Sequence, residues 1–440
     1  MSASSNFFNN LCTQYEKSED LFKYLQSPEG GSLKVISNKE FPHLAIIRYV
    51  KGTTDAPATN MSHANTPYFR SVVWDINTNK PVAITPFKTE PLESFDSLSY
   101  KQQTTSCVVE DFWDGTMITL FYDPTVNNWL LATRSNVGAS CRFYGPETFN
   151  TLFWDTFRFM GLTIQQFDPK LTYTWILQHP SNRIVVPVTA AALRLIQIMN
   201  GADEVAAPPH LMNFLSRRLP LAGTAITQKS LDDLVNANNN IFCQGFVIKD
   251  TVSGKRWRQR TPVYLSVHEM RGNTPRLDYK WLTLRASGDL NSYLHHYPED
   301  KPAFNALWTR LKDETRDLYN IYCQVFKARS LPSKDAPKHM RKLLYDMQDH
   351  YLNHLRPAQL TMTWAACVQC VNSQDVPRQL FLANYKFLQQ NKQTSFPYEP
   401  TDENLMAPAT PAVAEAKPVV LEQIDVPPAP APAAPADTTV

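Results

Sequence analysis

Two pairs of side chains in the C-terminal third have the spacing of metal ligands. Cys367 and Cys370 have the two-residue gap of a zinc or redox pair, and His350 and His354 lie four apart on one face of a predicted helix. A metal site needs four protein ligands, or three and a water, and neither pair has further ligands close by in the sequence. We therefore expect buried thiols and solvated or partly buried histidines here, and no metal site.

A basic run between residues 327 and 342 could follow a phosphate backbone, because it gathers six cations with few acids. A solvated helix face is the alternative interpretation. The cations, at or before the start of a predicted helix, are Lys327, Arg329, Lys334, Lys338, Arg341 and Lys342.

The stretch VEDFWDGTMITLFYD, residues 109–123, combines an Asp-Gly pair with an alternating apolar run. Asp-Gly is a common turn between strands, so Asp114 and Gly115 predict the start of a β-hairpin. A strand has two faces. Phe112 and Trp113 are therefore either core aromatics of this hairpin or part of a binding surface.

The composition predicts a folded chain without a membrane segment. Of 440 residues 43% are hydrophobic and 11% aromatic, and 43 basic against 41 acidic residues give a formal net charge of +2. Any nucleic-acid surface must therefore be a local patch. We find neither a signal peptide nor an apolar run of about 18 residues. Seven scattered cysteines fit reduced thiols, so we expect a cytoplasmic protein.

Turn residues between apolar runs indicate the elements that position these side chains. YFRSVVWDI and KPVAITPF flank Asn77-Thr78-Asn79, and TMITLFYD and NWLLATRS flank a second turn, so both pairs predict hairpins. Further predicted strands are LTYTWILQ, NRIVVPVT, IFCQGFVIKD and TPVYLSVHEM. The apolar spacing of TAAALRLIQIMNG, ending at Gly201, predicts a helix between them.

After residue 300 the pattern becomes helical. DKPAFNALWTRLKDETRDLYNIYCQVFK, KHMRKLLYDMQDHYLNHL and VPRQLFLANYKFLQQN each keep an apolar stripe. We predict an α+β protein with an N-terminal helical and strand lead-in (1–65), a domain of mixed antiparallel sheets with helices (66–299) and a helical C-terminal domain (300–392). The Pro/Ala-rich tail (393–440) is expected to be disordered and to offer a site for a protein partner.

Five segments between residues 66 and 300 resemble, in order, those of ATP-dependent RNA ligases of the covalent nucleotidyltransferase family. They resemble the branch of the phage T4 RNA ligase 1, in a divergent form similar to proteins of large DNA viruses. The segments are FRSVVWDINTNKPVAITPFK, EDFWDGTMITLFYDPTVNNWLLATRSNVGA, WILQHPSNRIV, QGFVIKD and WRQRTPVYLSVHEMRGN. The resemblance implies an ATP-grasp-like adenylation domain that binds ATP or AMP and RNA.

The resemblance also implies roles for particular residues. In the family a lysine attacks the α-phosphorus of ATP, two glutamates hold metal and ribose, and paired lysines neutralise phosphate charge. Phe112 stands at the position of the nucleophile, Gln244 at that of one glutamate, and Arg258 and Arg260 at those of the lysines. The other glutamate corresponds to Gln178 or, if the strand is shifted, to Ile176. The implied nucleotide-binding set is Asp114, Gly115, Arg134, Gln178, Gln244, Lys249, Arg258 and Arg260, with Arg183 as a further cation.

These departures predict that covalent catalysis is lost while binding is retained. A phenyl ring has no electron pair that can attack phosphorus, and an amide lacks the charge that Mg²⁺ prefers. Arginine in place of lysine keeps the cation. We expect a protein that binds nucleotide or RNA ends without covalent adenylation, and Mg²⁺ use only if activity persists. The alternatives are an active divergent RNA ligase, with Lys88 or Lys101 as nucleophile, and a structural or partner-binding protein.

Overall fold

The computed structural model describes residues 2–50, 52, 58–95, 107–216, 218–219, 226 and 228–391. Three sheets and eleven helices are found in this part of the chain, so the predicted α+β class with mixed antiparallel sheets and a helical C-terminal region is confirmed. Lys101 and the tail after residue 391 lie outside the described residues.

The first sheet has four antiparallel strands in the order β1-β2-β3-β4. Two helices cover one face, packing Phe8, Leu21 and Leu25 against Ile47 and Trp74. The predicted hairpin at residues 77–79 joins β3 to β4. The elements are α1 (Ala3–Gln14), α2 (Ser18–Gln26), β1 (Lys34–Ser37), β2 (Leu44–Arg48), β3 (Val72–Asp75) and β4 (Lys80–Ile84).

The second sheet has five antiparallel strands in the order β11-β10-β9-β7-β8, and the predicted hairpin of TMITLFYD and NWLLATRS forms β7 and β8. Helix α3 (Phe149–Phe159) packs Phe149, Leu152 and Phe153 onto its core. The strands are β7 (Thr116–Asp123), β8 (Asn128–Ala132), β9 (Leu171–Gln178), β10 (Ala192–Asn200) and β11 (Asp203–Val205).

The third sheet follows the order β12-β6-β13-β14-β5, antiparallel except for the β14–β5 pair. Helix α4 (Gln228–Ala237) places Leu231 and Val235 against Phe246, Ile248 and Trp257 of this sheet. The strands are β5 (Glu90–Pro91), β6 (Cys107–Asp111), β12 (Arg218–Leu219), β13 (Gly245–Asp250) and β14 (Arg256–Arg260).

The remaining helices share one hydrophobic core that runs from Tyr264 to Ala383 and includes Val185 from the connection after β9. This core extends to both sides of residue 300, so the helices before and after that position pack together. The helices are α5 (Pro262–Arg271), α6 (Leu277–Ser287), α7 (Leu290–His296), α8 (Lys301–Tyr322), α9 (Arg341–His350), α10 (Trp364–Asn372) and α11 (Val376–Asn391). In the described part of the chain, no helix combines the length and the apolar composition needed to cross a membrane.

The helix predicted for TAAALRLIQIMNG is wrong, because this segment forms strand β10. Its pairing with β9 shifts register between Leu195 and Gln197. A shift of this kind interrupts the strict alternation of a strand, so Leu195, Ile198 and Met199 are all buried and imitate the three- and four-residue intervals of a helix. Partner strands on both sides then satisfy the backbone of β10.

Two predicted strands are also wrong. NRIVVPVT has no regular structure, since the N–H groups of Val185 and Val186 donate to the carboxylate of Asp114 instead of to a neighbouring strand. TPVYLSVHEM forms helix α5. Thr261 caps this helix by accepting from the N–H of Tyr264, and Pro262 occupies the first turn, where its missing N–H costs no helical hydrogen bond.

Gly245 allows β13 and β14 to approach closely. A Cβ atom at this position would lie 2.0 Å from the carbonyl oxygen of Gln259, and φ is +141°. We expect Gly245→Ala to lower the free energy of unfolding by at least about 2 kcal/mol, because backbone atoms must move. Urea denaturation measures this.

Gly201→Ala is the matched control, because φ is +58° and no atom of the described residues lies within 4 Å of the added Cβ. It should cost only the left-handed strain of about 1 kcal/mol. Equal losses in the two variants would contradict the importance of the close approach.

Candidate functional site

A cleft of about 380 Å³ opens where the three sheets and helix α5 meet. The turn between β6 and β7, strand β14 and the segments around Tyr49, Arg70 and Lys88 form its walls. It brings together six residues that the sequence singled out as site residues. These are Phe112, Asp114, Gly115, Gln244, Arg258 and Arg260, and Arg134, a seventh such residue, lines the cleft as well.

The turn before β7 is fixed by its backbone. The N–H of Phe112 donates to the carbonyl oxygen of Gly245, 3.0 Å away, and so joins the turn to the third sheet. Gly115 passes close to β9, since a Cβ atom there would lie 2.5 Å from the carbonyl oxygen of Leu177. The Asp-Gly pair thus allows the chain to cross from one sheet to the next at the base of the cleft.

Asp114 is buried, and its carboxylate accepts three hydrogen bonds from the protein. The donors are the hydroxyl of Tyr264 at 2.7 Å and the N–H groups of Val185 and Val186, both at 2.9 Å. Burial, together with the neighbouring carboxylate, raises the pKa of Tyr264, so its hydroxyl remains a donor. The carboxylate therefore holds helix α5 and the segment after β9 against the turn.

The two aromatics of the turn are half-buried and line the cleft. The guanidinium of Arg260 lies 5.5 Å from the ring centroid of Phe112 and 5.7 Å from that of Tyr264. The guanidinium of Arg194 lies 4.6 Å from the ring of Trp113, whose indole N–H donates to the hydroxyl of Ser216. Both rings thus contact cations at the cleft wall.

Five arginines and one lysine line the cleft: Arg70, Lys88, Arg134, Arg256, Arg258 and Arg260. Burial, with repulsion from Arg256, Arg134 and Arg258, lowers the pKa of Arg70 to about 10, so it is charged at neutral pH. Burial and then the charge of Arg260 lower the pKa of Arg258. Burial is the larger cause of both shifts, and the repulsion between the arginines, the smaller cause, corresponds to a positive potential that an anion would neutralise.

The protein holds these guanidinium groups in place. Arg134 donates to the carbonyl oxygen of Tyr49 at 2.8 Å and lies over its ring, and Arg258 donates to the backbone and hydroxyl oxygens of Thr89. Arg256 lies 3.8 Å from the carboxylate of Glu110. Anchored guanidinium groups lose little conformational freedom when they bind a phosphate group.

Gln244 lines the cleft with a side chain that is only 6% exposed, and its amide oxygen has no hydrogen-bond partner among the described residues. An unpaired buried acceptor is costly, so a ligand that donates a hydrogen bond to it would be stabilised. The oxygen of Gln244 is suited to a hydroxyl or amino group.

Three residues of the predicted site are engaged elsewhere. Lys249 forms an ion pair with Glu204, and Arg183 donates to Glu299 at 2.7 Å and to the carbonyl oxygen of Val185. The side-chain amide of Gln178 donates to the backbone carbonyl of Asp114 at 2.9 Å. None of the three lines the described part of the cleft. Ile176, which corresponds to the family's glutamate if the alignment of β9 is shifted, lines the cleft in place of Gln178.

The sequence interpretation missed Arg70, Arg256 and Tyr49. Arg256 precedes Arg258 and Arg260 at two-residue intervals, and residues at this interval share one face of a strand. This alternation was a usable signal. Arg70 belongs to the arginine-bearing segment of the resemblance but was not selected, and nothing local marked Tyr49.

Of the possible metal ligands near the C-terminus, Cys367 and Cys370 belong to the helical core, whereas His350 is half-buried and His354 is exposed. Cys367 is fully buried, which raises the pKa of its thiol to about 12, and the rings of His350 and His354 stand 5.2 Å apart. Among the described residues, no group of three or more histidine, cysteine or acidic side chains is arranged as metal ligands. In the basic run, Lys327 donates to the carbonyl oxygen of Met362 and Arg341 to that of Ala336.

Comparisons with known proteins give ligases among the solved structures. No protein-family model and no curated protein matches the chain. The Naegleria gruberi RNA ligase with pyrophosphate has a TM-score of 0.32 and 16% identity, over 42% of this chain and 58% of that one. A variant with ATP and Mn gives 0.30 and 15% over the same shares. The chain thus spans less than two thirds of this ligase.

A putative ATP-dependent DNA ligase from Aquifex aeolicus has a TM-score of 0.37 and 12% identity, over 86% of this chain and 80% of that one. At TM-scores and identities this low, the likeness to these ligases does not assign a family to the chain.

Asp114 provides a test of how the base of the cleft is held together. We expect Asp114→Asn to lower the free energy of unfolding by about 1–3 kcal/mol, because the amide cannot accept all three hydrogen bonds and brings its own donors. Tyr264→Phe should cost about 1 kcal/mol, and the double variant less than the sum. Urea denaturation of the three variants measures these losses.

Asp155→Asn, which changes an exposed carboxylate on α3 paired with Arg158, is the matched control and should stay within about 0.5 kcal/mol of the unmodified protein. An Asp114→Asn protein of unchanged stability would show that the carboxylate has no structural role.

Proposed function

We propose that the protein binds a nucleoside 5′-phosphate, free or at an RNA end, without bonding to it covalently. The observation that carries this proposal is the cleft in which five arginines and Lys88 surround Phe112. Six cations in a cleft of about 380 Å³ favour a phosphate-bearing ligand over a neutral one.

The aromatic side chains support a ligand that also carries a base. Phe112, Trp113 and Tyr264 lie beside the arginines in the same cleft, and aromatic rings stack on bases. The unpaired amide oxygen of Gln244 offers an acceptor for a ribose hydroxyl or a base amino group. Phosphate, sugar and base thus each have a partner among the lining residues.

The order of the five sequence segments supports a relationship to RNA ligases of the T4 RNA ligase 1 branch, including their viral forms. In that family a lysine amine forms a bond to the α-phosphorus of ATP while the bond to pyrophosphate breaks. Phe112 offers no electron pair for this step. We therefore infer a pseudoenzyme of the nucleotidyltransferase fold, acting in the cytoplasm, with a tail available to a protein partner.

The position of Lys88 favours one second candidate, an active ligase with a displaced nucleophile. Lys88 lines the same cleft as Phe112 and Gln244. In this case the amine of Lys88 would bond to the α-phosphorus, pyrophosphate would leave, and the amine would lose its proton to solvent. A lysine must reach within about 3 to 3.5 Å of the phosphorus for this step.

The first experiment tests for covalent adenylation. Incubation with ATP labelled at the α-phosphate, with and without Mg²⁺, should leave no label on the denatured protein. Phe112→Lys should remain unlabelled too, because Gln244 still stands where the resemblance implies a glutamate.

Label on the unmodified protein would overturn the proposal of non-covalent binding. Lys88→Arg then identifies the attacking group, since it keeps the charge of Lys88 but removes the nucleophilic amine. Loss of label in this variant would establish the displaced-nucleophile candidate.

The second experiment measures binding of ATP and of a 5′-phosphorylated RNA oligonucleotide. We expect Arg134→Ala and Arg258→Gln each to weaken binding about tenfold to a hundredfold, because each removes a charge-assisted hydrogen bond. Affinity should also fall as salt rises. Fluorescence anisotropy or calorimetry gives the dissociation constants.

Arg158→Ala is the matched control, because Arg158 is exposed on α3 and pairs with Asp155 outside the cleft. It should leave both affinities unchanged. Failure of both ligands to bind the unmodified protein would refute the proposed function, and binding of one alone would identify the source of the phosphate.

A further inference from the structure

We propose that the cleft binds the polyphosphate of a nucleoside triphosphate as the metal-free anion, with arginine side chains in the place of a divalent cation. This inference rests on the proposed function, and it concerns the form of the ligand that is bound. It departs from the Mg²⁺ use that the resemblance to RNA ligases implies for an active enzyme.

The oxygen ligands that a divalent cation requires do not fit the cleft. Mg²⁺ bound with a nucleotide keeps octahedral geometry through waters, phosphate oxygens and one or two protein carboxylates. Asp114 already uses its carboxylate to accept three hydrogen bonds, and Gln244 offers only a neutral amide oxygen. Nearby, Glu110 is buried beside Arg256. Among the described lining residues this leaves Asp111 as the remaining carboxylate, so the turn does not provide a pair of carboxylates to share a metal.

The charge of the cleft disfavours a cation still further. Its described lining residues include six cations but only two carboxylates, those of Asp111 and Asp114. A divalent cation would enter a positive potential, whereas a free triphosphate would be attracted to it. Mg²⁺ bound to ATP also removes two negative charges from the ligand. The metal complex should therefore bind no better than free ATP.

The arrangement of the arginines favours several phosphate groups over one. Arg256, Arg258 and Arg260 alternate along β14, and the four residue steps from the first to the last span about 13 Å. Arg70 and Arg134 extend the cationic surface toward Tyr49, and the charges of both Arg256 and Arg258 act on Arg70. A single phosphate group cannot contact a row of this length, whereas a triphosphate can engage several of its members.

The experiment is calorimetry of the full chain with ATP, ADP and AMP at constant ionic strength, in excess EDTA and in excess Mg²⁺. We expect ATP in EDTA to bind at least as tightly as ATP in Mg²⁺. AMP should bind roughly tenfold to a hundredfold more weakly than ATP in EDTA, because it has fewer charge-assisted contacts.

Gln244→Glu and Arg258→Gln test whether the neutral amide of Gln244 and the charge of the arginines cause the preference for metal-free ATP. Gln244→Glu adds a negative charge and a metal ligand, so it should weaken ATP binding in EDTA and make added Mg²⁺ favourable. Arg258→Gln should weaken ATP more than AMP. Arg158→Ala on α3 is the matched control and should change neither the affinities nor the effect of Mg²⁺.

The outcomes separate this inference from the proposed function. Binding of ATP that requires Mg²⁺ would overturn the metal-free inference but leave the proposed function intact. Equal affinities for ATP and AMP in EDTA would overturn the polyphosphate assignment. Absence of binding for all three nucleotides under both conditions, and for 5′-phosphorylated RNA, would refute the proposed function itself.

Discussion

The cleft depends on one buried carboxylate. Asp114 accepts from Tyr264 of α5 and from the backbone of Val185 and Val186, while its own carbonyl oxygen accepts from Gln178 at the end of β9. A buried carboxylate is stable only when hydrogen bonds compensate for its lost hydration. These bonds join the second sheet, the connection between its strands β9 and β10, and the helical core. Helix α5 follows directly after β14, so these bonds also hold the end of the strand that carries Arg256, Arg258 and Arg260.

The charge of the cleft arginines opposes the stability that the hydrogen bonds of Asp114 provide. Arginines gathered in one cleft repel one another, and burial adds a desolvation cost that lowers the pKa of Arg70, Arg256 and Arg258. Carbonyl oxygens and aromatic rings, as at Tyr49 and Thr89, relieve only part of this cost. The fold therefore stabilises a region of unfavourable charge, which is typical of a binding site in which the ligand provides the missing anion.

Local sequence signals predicted an element correctly where the residues of that element alone determine its structure. Asn77-Thr78-Asn79 and the apolar stripe of α8 predicted a hairpin and a helix because turn chemistry and periodicity act over a few residues. These signals failed where contacts with distant segments of the chain determine the structure. The register shift in β10 concealed a strand, and the partners of Lys249 and Arg183, which are Glu204 and Glu299, became visible only in three dimensions. Arg256 could have been predicted from the two-residue alternation along β14, because alternation on a strand is a local property.

At position 112 the backbone and the side chain have separate roles. The backbone N–H of Phe112 donates to Gly245, so the turn is held in place by the main chain, independently of the side chain at this position. The side chain contributes what it presents to the cleft, and here that is a half-buried ring beside the guanidinium of Arg260. An amine at this position would add one more positive charge to a cleft that already contains six cations. A neutral ring adds no such repulsion, and under the proposed function it offers a contact surface to a ligand held by its phosphates.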